Sequence, residues 1–331
     1  YIRRNMRFKF LMKLEVLASL ISTATVISLA YLGFSYMSMA WSSVVGIVFE
    51  IIILTAYRPK ELPFLPGIKE LKHVLGFSTA SVSESLLSQL GVYLPDLIIG
   101  RFLGMHSVGI LSRAKGTIGL FDRAVSSAIH PILLPYFSKE NREGQDIKES
   151  FLYVTACVTG LAWPALMYIS VMAEPLILVL YGEQWTEAAL LLQIICIRQF
   201  AGRLMAFVHP VLMSKGRVKV LLKLQIILVP LEMIIILLTV QQGLETMLYS
   251  LIVMPMIRIT LLLRILSKVI NVRVIDFLKI IYKCALPTVV CFIPVFIIRD
   301  GWSLSPLHSL IFSAIVTAIV FILSVFLFRH P

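Results

Sequence analysis

The sequence predicts an all-α, polytopic membrane bundle of about ten transmembrane helices, and three observations predict it. Of 331 residues, 59% are hydrophobic and only 15% are charged, where a soluble domain carries about a quarter; mean hydropathy is +0.92. Apolar runs such as VLASLISTATVISLAYLGF (16–34) and LIFSAIVTAIVFILSVFLF (310–328) are long enough to cross about 30 Å of hydrocarbon as helices. Basic residues also crowd into every second inter-span segment, as expected when Lys and Arg accumulate on one side of a membrane.

Taken in order, spans at 14–34 and 37–56 are uninterrupted apolar stretches joined by GFSYMSMAWS. The segment 57–73, YRPKELPFLPGIKELKH, mixes basic residues with three prolines and reads as a linker. Spans at 76–99 and 107–137 follow, separated by RFLGMH and carrying polar residues. The next apolar stretch is 149–172. After it, EPLILVLYGEQW reads as an interfacial amphipathic segment, with Trp185 at head-group depth. A polar-flecked span at 187–213 precedes four apolar ones at 217–240, 243–266, 279–298 and 306–328.

The charges orient these spans. The N-terminal end carries Arg3, Arg4, Arg7, Lys9 and Lys13, and the linker carries Arg58, Lys60, Lys69 and Lys72. Alternate segments further on hold Lys139, Arg142 and Lys148, then Lys215, Arg217, Lys219 and Lys223. Arg258, Arg264, Lys268, Arg273, Lys279 and Lys283 follow, and finally Arg329. On this reading 23 of the 30 basic residues share one side, with both chain ends cytoplasmic. The intervening segments hold only Arg101 and Arg299. The net charge of +12 is thereby explained without nucleic acid. The four cysteines lie in apolar runs without CxxC or neighbouring histidines and read as small hydrophobes. No cofactor or metal is expected.

Arg113, Lys115, Arg123, Arg198 and Arg203 are left inside predicted spans. A charge at the bilayer centre costs at least about 2.5–3.5 kcal/mol, so it faces a cavity or a partner. At 100° per residue, Ser112, Lys115, Gly116, Gly119, Asp122 and Arg123 share one side of their helix. Ile110, Leu111, Ala114, Ile118 and Phe121 share the other. Arg198, Gly202, Ala206 and His209 form a stripe flanked by Gln199 and Arg203, and Ser81, Glu84, Ser85 and Ser88 form a third. Two arrangements are open: internal pairs, such as Lys115 with Asp122 or Arg123 with Glu84, or a hydrated cationic cavity for an anion, to which arginine offers bidentate contacts. Glu84, Asp122 and Glu232 are candidate ion-coupling carboxyls. Glu232 and Glu50 read equally as neutral packing groups, Asp96 as a partner for Arg101, and His130 and His209 as packing residues before prolines.

The stretches YLPDLIIGRFLGMHSVGILSRA, HPILLPYFSK and EPLILVLYGEQWTEAALLLQIICI, in that order, resemble the second half of Wzx-type polysaccharide flippases of the multidrug/oligosaccharidyl-lipid/polysaccharide exporter superfamily. The opening RRNMRFKFLMKLEV resembles the segment before that family's fifth span. The resemblance implies a two-lobed transporter fold whose first four spans are missing here. Residues 1–56 would be the remainder of the N-terminal lobe, 57–73 the cytoplasmic inter-lobe linker, and 74–331 the C-terminal lobe. It implies a flippase moving undecaprenyl-diphosphate-linked oligosaccharide to the outer leaflet of the bacterial inner membrane. Its partners would be lipid-linked oligosaccharide, membrane lipids and the polysaccharide polymerase and glycosyltransferases. Arg113, Lys115, Arg123, Arg198 and Arg203 would then line the cavity. The rivals are a multidrug exporter, for which an acidic cavity suits better, and a peptidoglycan-precursor flippase. A membrane glycosyltransferase or polymerase needs carboxylates or a metal in an outer loop. The short loops here, with scattered Glu174, Glu183, Glu187, Glu245 and Asp300, offer no paired-acid motif, so an enzyme is not expected.

Overall fold

In hydrocarbon the backbone must satisfy its own hydrogen bonds, which leaves helices or closed barrels. The computed structural model describes residues 8–35, 37–57, 71–301 and 305–327, and among these every regular element is helical. Nine helical stretches among the described residues are long and apolar enough to span a membrane. The chain is a multi-pass membrane protein. Most of the segment read as a linker, 58–70, lies outside the described residues.

The chain divides into two compact units, Tyr1–Val74 and Leu75–Pro331. The first holds α1 (Phe8–Tyr31) and α2 (Met37–Ala56), which pack on each other. The seam is made of small residues at helical spacing. Ser38, Ser42 and Gly46 are the buried positions of α2, and Leu14 and Ala18 are buried on α1. A side chain at Gly46 would collide with the Ser22 hydroxyl, so the seam has no room for a Cβ there, as with other small residues in membrane helix pairs. Glu50 is half-buried on α2.

The second unit takes in all but the first four residues of α3 (Leu71–Glu143), which is two helices folded back at Gly104. Gly104 has φ 82° and ψ 168°, a conformation open essentially to glycine alone. The proof of the fold-back is an ion pair. Lys115 Nζ lies 2.6 Å from Asp96 Oδ1, although 19 residues of continuous helix would part them by about 28 Å. Spans 76–99 and 107–137 are therefore the two limbs of a hairpin, and the 47-residue stretch Ser78–Ala124 crosses twice. Gly104→Val should cost about 1–3 kcal/mol. A lowered melting midpoint of the detergent-purified variant would show it, and an unchanged midpoint would mean the turn tolerates a side chain.

The remaining elements are α4 (Ile147–Val171), α5 (Ala173–Tyr181), α6 (Ala188–Arg203), α7 (Val208–Ser214), α8 (Val218–Thr239), α9 (Leu244–Ser250), α10 (Val253–Val269), α11 (Val274–Gly301) and α12 (Pro306–Leu327). Asp146 starts α4 by accepting from the Lys148 backbone N–H at 2.9 Å, and Glu149 follows three residues on, the pattern of a capping box. Lys148 then reaches Asp276 of α11 at 2.9 Å. α4 is the central helix. It packs on α6 and α11 and buries Phe151, Ala162 and Leu166 almost completely. Trp163 donates to the Phe200 carbonyl of α6 at 2.9 Å, and Tyr168 donates to the Leu310 carbonyl of α12 at 2.8 Å. Cys196, Cys284 and Cys291 are buried in the same packing. The outer faces of α8, α11 and α12 present large apolar side chains such as Leu238, Ile297 and Leu323, which suits contact with lipid.

Two spans are interrupted for one physical reason. Pro210 cannot donate to the carbonyl of Ala206, and Pro255 cannot donate to that of Leu251. The helices turn at 204–207 and 251–252, where tighter three-residue bonds take over. Met205 donates to Gly202 and Ala206 to Arg203, both at 3.2 Å, and Ile252 donates to Tyr249 at 3.1 Å. The span expected as one helix over 187–213 is thus α6 and α7, and that over 243–266 is α9 and α10.

Candidate functional site

Irregular backbone at membrane depth is tolerated where it is buried in protein or lines a water-filled space. Both interruptions border such a space. A cavity of about 580 Å³ opens between the α3 limbs, α6, α7, α8 and α10, with Met205 and Ala206 of the first interruption in its wall. A second, of about 140 Å³, shares Gln199, Gly202, Met205 and Arg258 with the first. A third, of about 330 Å³, shares Arg198, Gln199 and Glu232 with the second, and Leu251 of the other interruption lines it. The first cavity is bounded by Leu221 and Gln225 near the start of α8. The third is bounded by Pro95, Met247 and Leu248, near the opposite ends of their helices. Three neighbouring spaces that share wall residues therefore lie in succession along this unit.

The helical stripes bring polar groups to these walls. Glu84, Ser85 and Ser88 come from the first limb of α3, Asp122 from the second, and Gly202, Arg203 and His209 from α6 and α7. Buried Glu84 faces His209 Nε2 at 3.3 Å and Gln225 Nε2 at 3.4 Å. Arg203 Nη2 donates to Asp122 Oδ1, while the Arg203 Nε is buried without a hydrogen-bond partner among the described residues. Arg198 Nη2 donates to Glu232 Oε1 at 2.5 Å. Three cations thus meet three carboxylates: Lys115 with Asp96, Arg198 with Glu232, and Arg203 with Asp122.

Of the five basic residues singled out in the sequence, Lys115, Arg198 and Arg203 line the cavities. Arg113 does not. Its guanidinium sits 4.7 Å from the Trp185 ring and 5.3 Å from the Tyr181 ring, a cation–π stack beside α5. Arg123 is exposed and has no ion pair among the described residues. Neither pairing weighed from the sequence, Lys115 with Asp122 or Arg123 with Glu84, is the one formed. Asp96 holds Lys115 rather than Arg101, because the Gly104 turn lays the two limbs side by side. His209 lines the cavity, and nothing is described of the His130 side chain.

Sequence reasoning missed Arg258. It had been counted with the basic segment after its span, yet it lies in α10 and lines two of the three cavities. Its position was the available signal. It precedes Lys268 by ten residues, about 15 Å of helix, and Met254, Arg258 and Leu262 recur every fourth residue on the cavity face.

Comparison with known proteins gives the chain its family and its fold. Residues 1–190, more than half of the chain, match a family described as polysaccharide biosynthesis protein. The chain belongs to that family. Over 225 residues this family member is 25% identical to the teichuronic acid biosynthesis protein TuaB of Bacillus subtilis (strain 168), covering 65% of this chain and 45% of TuaB. Over 185 residues it is 23% identical to the succinoglycan biosynthesis transport protein ExoT of Rhizobium meliloti (strain 1021), covering 56% and 37%. Over 174 residues it is 25% identical to the lipopolysaccharide biosynthesis protein WzxC of Escherichia coli (strain K12), covering 48% and 35%. The chain spans less than half the length of these curated relatives. Its fold matches that of the lipid II flippase MurJ in an inward closed conformation, with a TM-score of 0.66 at 14% identity. That match covers 93% of this chain and 66% of MurJ.

Proposed function

We propose that this polysaccharide biosynthesis protein is a flippase, not an enzyme. It would translocate undecaprenyl-diphosphate-linked oligosaccharide from the inner to the outer leaflet of the bacterial cytoplasmic membrane by alternating access. The observation that carries the reading is the succession of neighbouring, charge-lined cavities in a unit whose outer faces are apolar. Arginine and lysine hold a phosphate-bearing head group in the wet interior, while the lipid tail stays in the bilayer. Residues 1–56 serve as part of one lobe, 57–73 as a cytoplasmic linker and 74–331 as the other lobe, with both chain ends cytoplasmic. The likeness to TuaB, ExoT and WzxC, proteins of teichuronic acid, succinoglycan and lipopolysaccharide biosynthesis, supports a polysaccharide precursor as cargo; the polymerase and glycosyltransferases would act next to it.

The test is a panel of single substitutions to Gln in the intact protein, in a strain whose surface polysaccharide depends on it, scored for lipid-linked glycan delivered to the outer leaflet at matched membrane levels. Lys115→Gln, Arg198→Gln, Arg203→Gln and Arg258→Gln should lose delivery, and Arg113→Gln and Arg123→Gln should keep it. Normal delivery across the panel would remove the cavity from the transport path.

A further inference from the structure

We infer that Arg198 and Arg258 form a two-arginine subsite for a diphosphate-class anion, and that Glu232 is the chain's own occupant of that subsite when cargo is absent. The three side chains come from α6, α10 and α8 and line one space of about 140 Å³, room for only a few waters at about 30 Å³ each. Within it two guanidiniums face one carboxylate. Glu232 takes Arg198 at 2.5 Å, and Arg258 has no ion pair among the described residues.

That imbalance is what a second anion would satisfy. A carboxylate offers two oxygens and one charge, whereas a diphosphate offers more oxygens, more charge and the span to engage two forks at once. Glu232 is only 12% exposed in its side chain and Arg198 is 33% exposed. Exchanging one anion for the other therefore keeps Arg198 countered at every stage, while Arg258 gains a counter-charge when the ligand is bound. The subsite also shares its walls with both other cavities. Arg258 reaches the first and second, and Arg198 and Glu232 reach the second and third. A head group moving lengthwise through the unit passes it. The ligand class rests on the flippase reading; the subsite itself rests on the geometry.

The experiment titrates the detergent-purified intact protein with farnesyl diphosphate, using farnesyl monophosphate and inorganic pyrophosphate as separate arms, and reads the thermal shift. Arg258→Gln should weaken farnesyl diphosphate binding by about 10- to 100-fold, the equivalent of one charge-assisted contact. Glu232→Gln, which removes the competing internal anion, should tighten it by about tenfold, and Arg258→Lys should restore part of the loss. A residue that only braces the bundle would move both variants the same way. Equal weakening in Arg258→Gln and Glu232→Gln, or no change in either, would overturn the subsite. Monophosphate binding as tight as diphosphate would overturn the two-fork geometry. Glycan delivery in cells separates the two proposals. Normal delivery with unaltered binding in Arg258→Gln removes the subsite and leaves the flippase standing. Diphosphate binding with no delivery by the wild-type chain removes the flippase reading and leaves the subsite.

Discussion

Asp122→Ala is expected to deplete the protein from the membrane rather than merely slow it. Asp122 is the partner of Arg203, whose side chain is only 12% exposed and whose Nε already lacks a partner among the described residues. Removing the carboxylate leaves a guanidinium with no counter-charge. Breaking a buried ion pair from one side costs about 3–5 kcal/mol, and because Asp122 is 30% exposed to the cavity the low end of that range is expected. A bundle with a stability of about 5–15 kcal/mol loses much of its margin. The measurement is the steady-state membrane level and the melting midpoint of the variant. The double variant Asp122→Leu with Arg203→Met should recover abundance, since replacing both partners with apolar groups of similar volume is often neutral. It should still fail to deliver glycan. Wild-type abundance in Asp122→Ala would mean that cavity water, not Asp122, balances Arg203.

Gly202→Trp is expected to abolish delivery while leaving the protein folded. Gly202 lines both the first and second cavities. A Cβ there meets nothing closer than Gln199 Oε1 at 3.6 Å, an ordinary contact with a flexible side chain. An indole, which carries 150–250 Å² of surface in ordinary burial, then projects into the passage between the two spaces. Glycan delivery should fall to the level of a strain without the protein, with membrane abundance unchanged, and Gly202→Ala should behave as wild type. Full delivery by the tryptophan variant would show that cargo does not pass this point.

What could be read from the sequence followed from physics that acts locally. Hydrocarbon thickness sets the length of an apolar run, so α1, α2, α4, α8 and α12 lie where those runs placed them. The 100° repeat fixes which residues share a face, so Glu84, Ser85, Ser88, Gly202 and Arg203 reach one cavity. Pairing was not legible, because it depends on which helix stands beside which. Lys115 and Asp122 share a helical face, yet the turn at Gly104 delivers Asp96 to Lys115, and the fold sets Arg203 of α6 beside Asp122 in the wall of one cavity. Arg258 was hidden by a different error. Charge counting credits every basic residue near a span end to the loop, and only distance along the helix distinguishes it from Lys268.

The prolines at 210 and 255 have a mechanical consequence. Bending a continuous helix means breaking backbone bonds in a medium that offers no substitutes. In these two spans those bonds are already exchanged for shorter-range ones at 204–207 and 251–252, so each behaves as two stiff rods sharing a soft joint. The joints abut the charged passage from two sides. On the flippase proposal, a small change of angle at either one would widen or narrow the cavities near Arg198 and Arg258 while the far ends of the rods kept their packing. The site therefore lies at the fulcrum of its own levers.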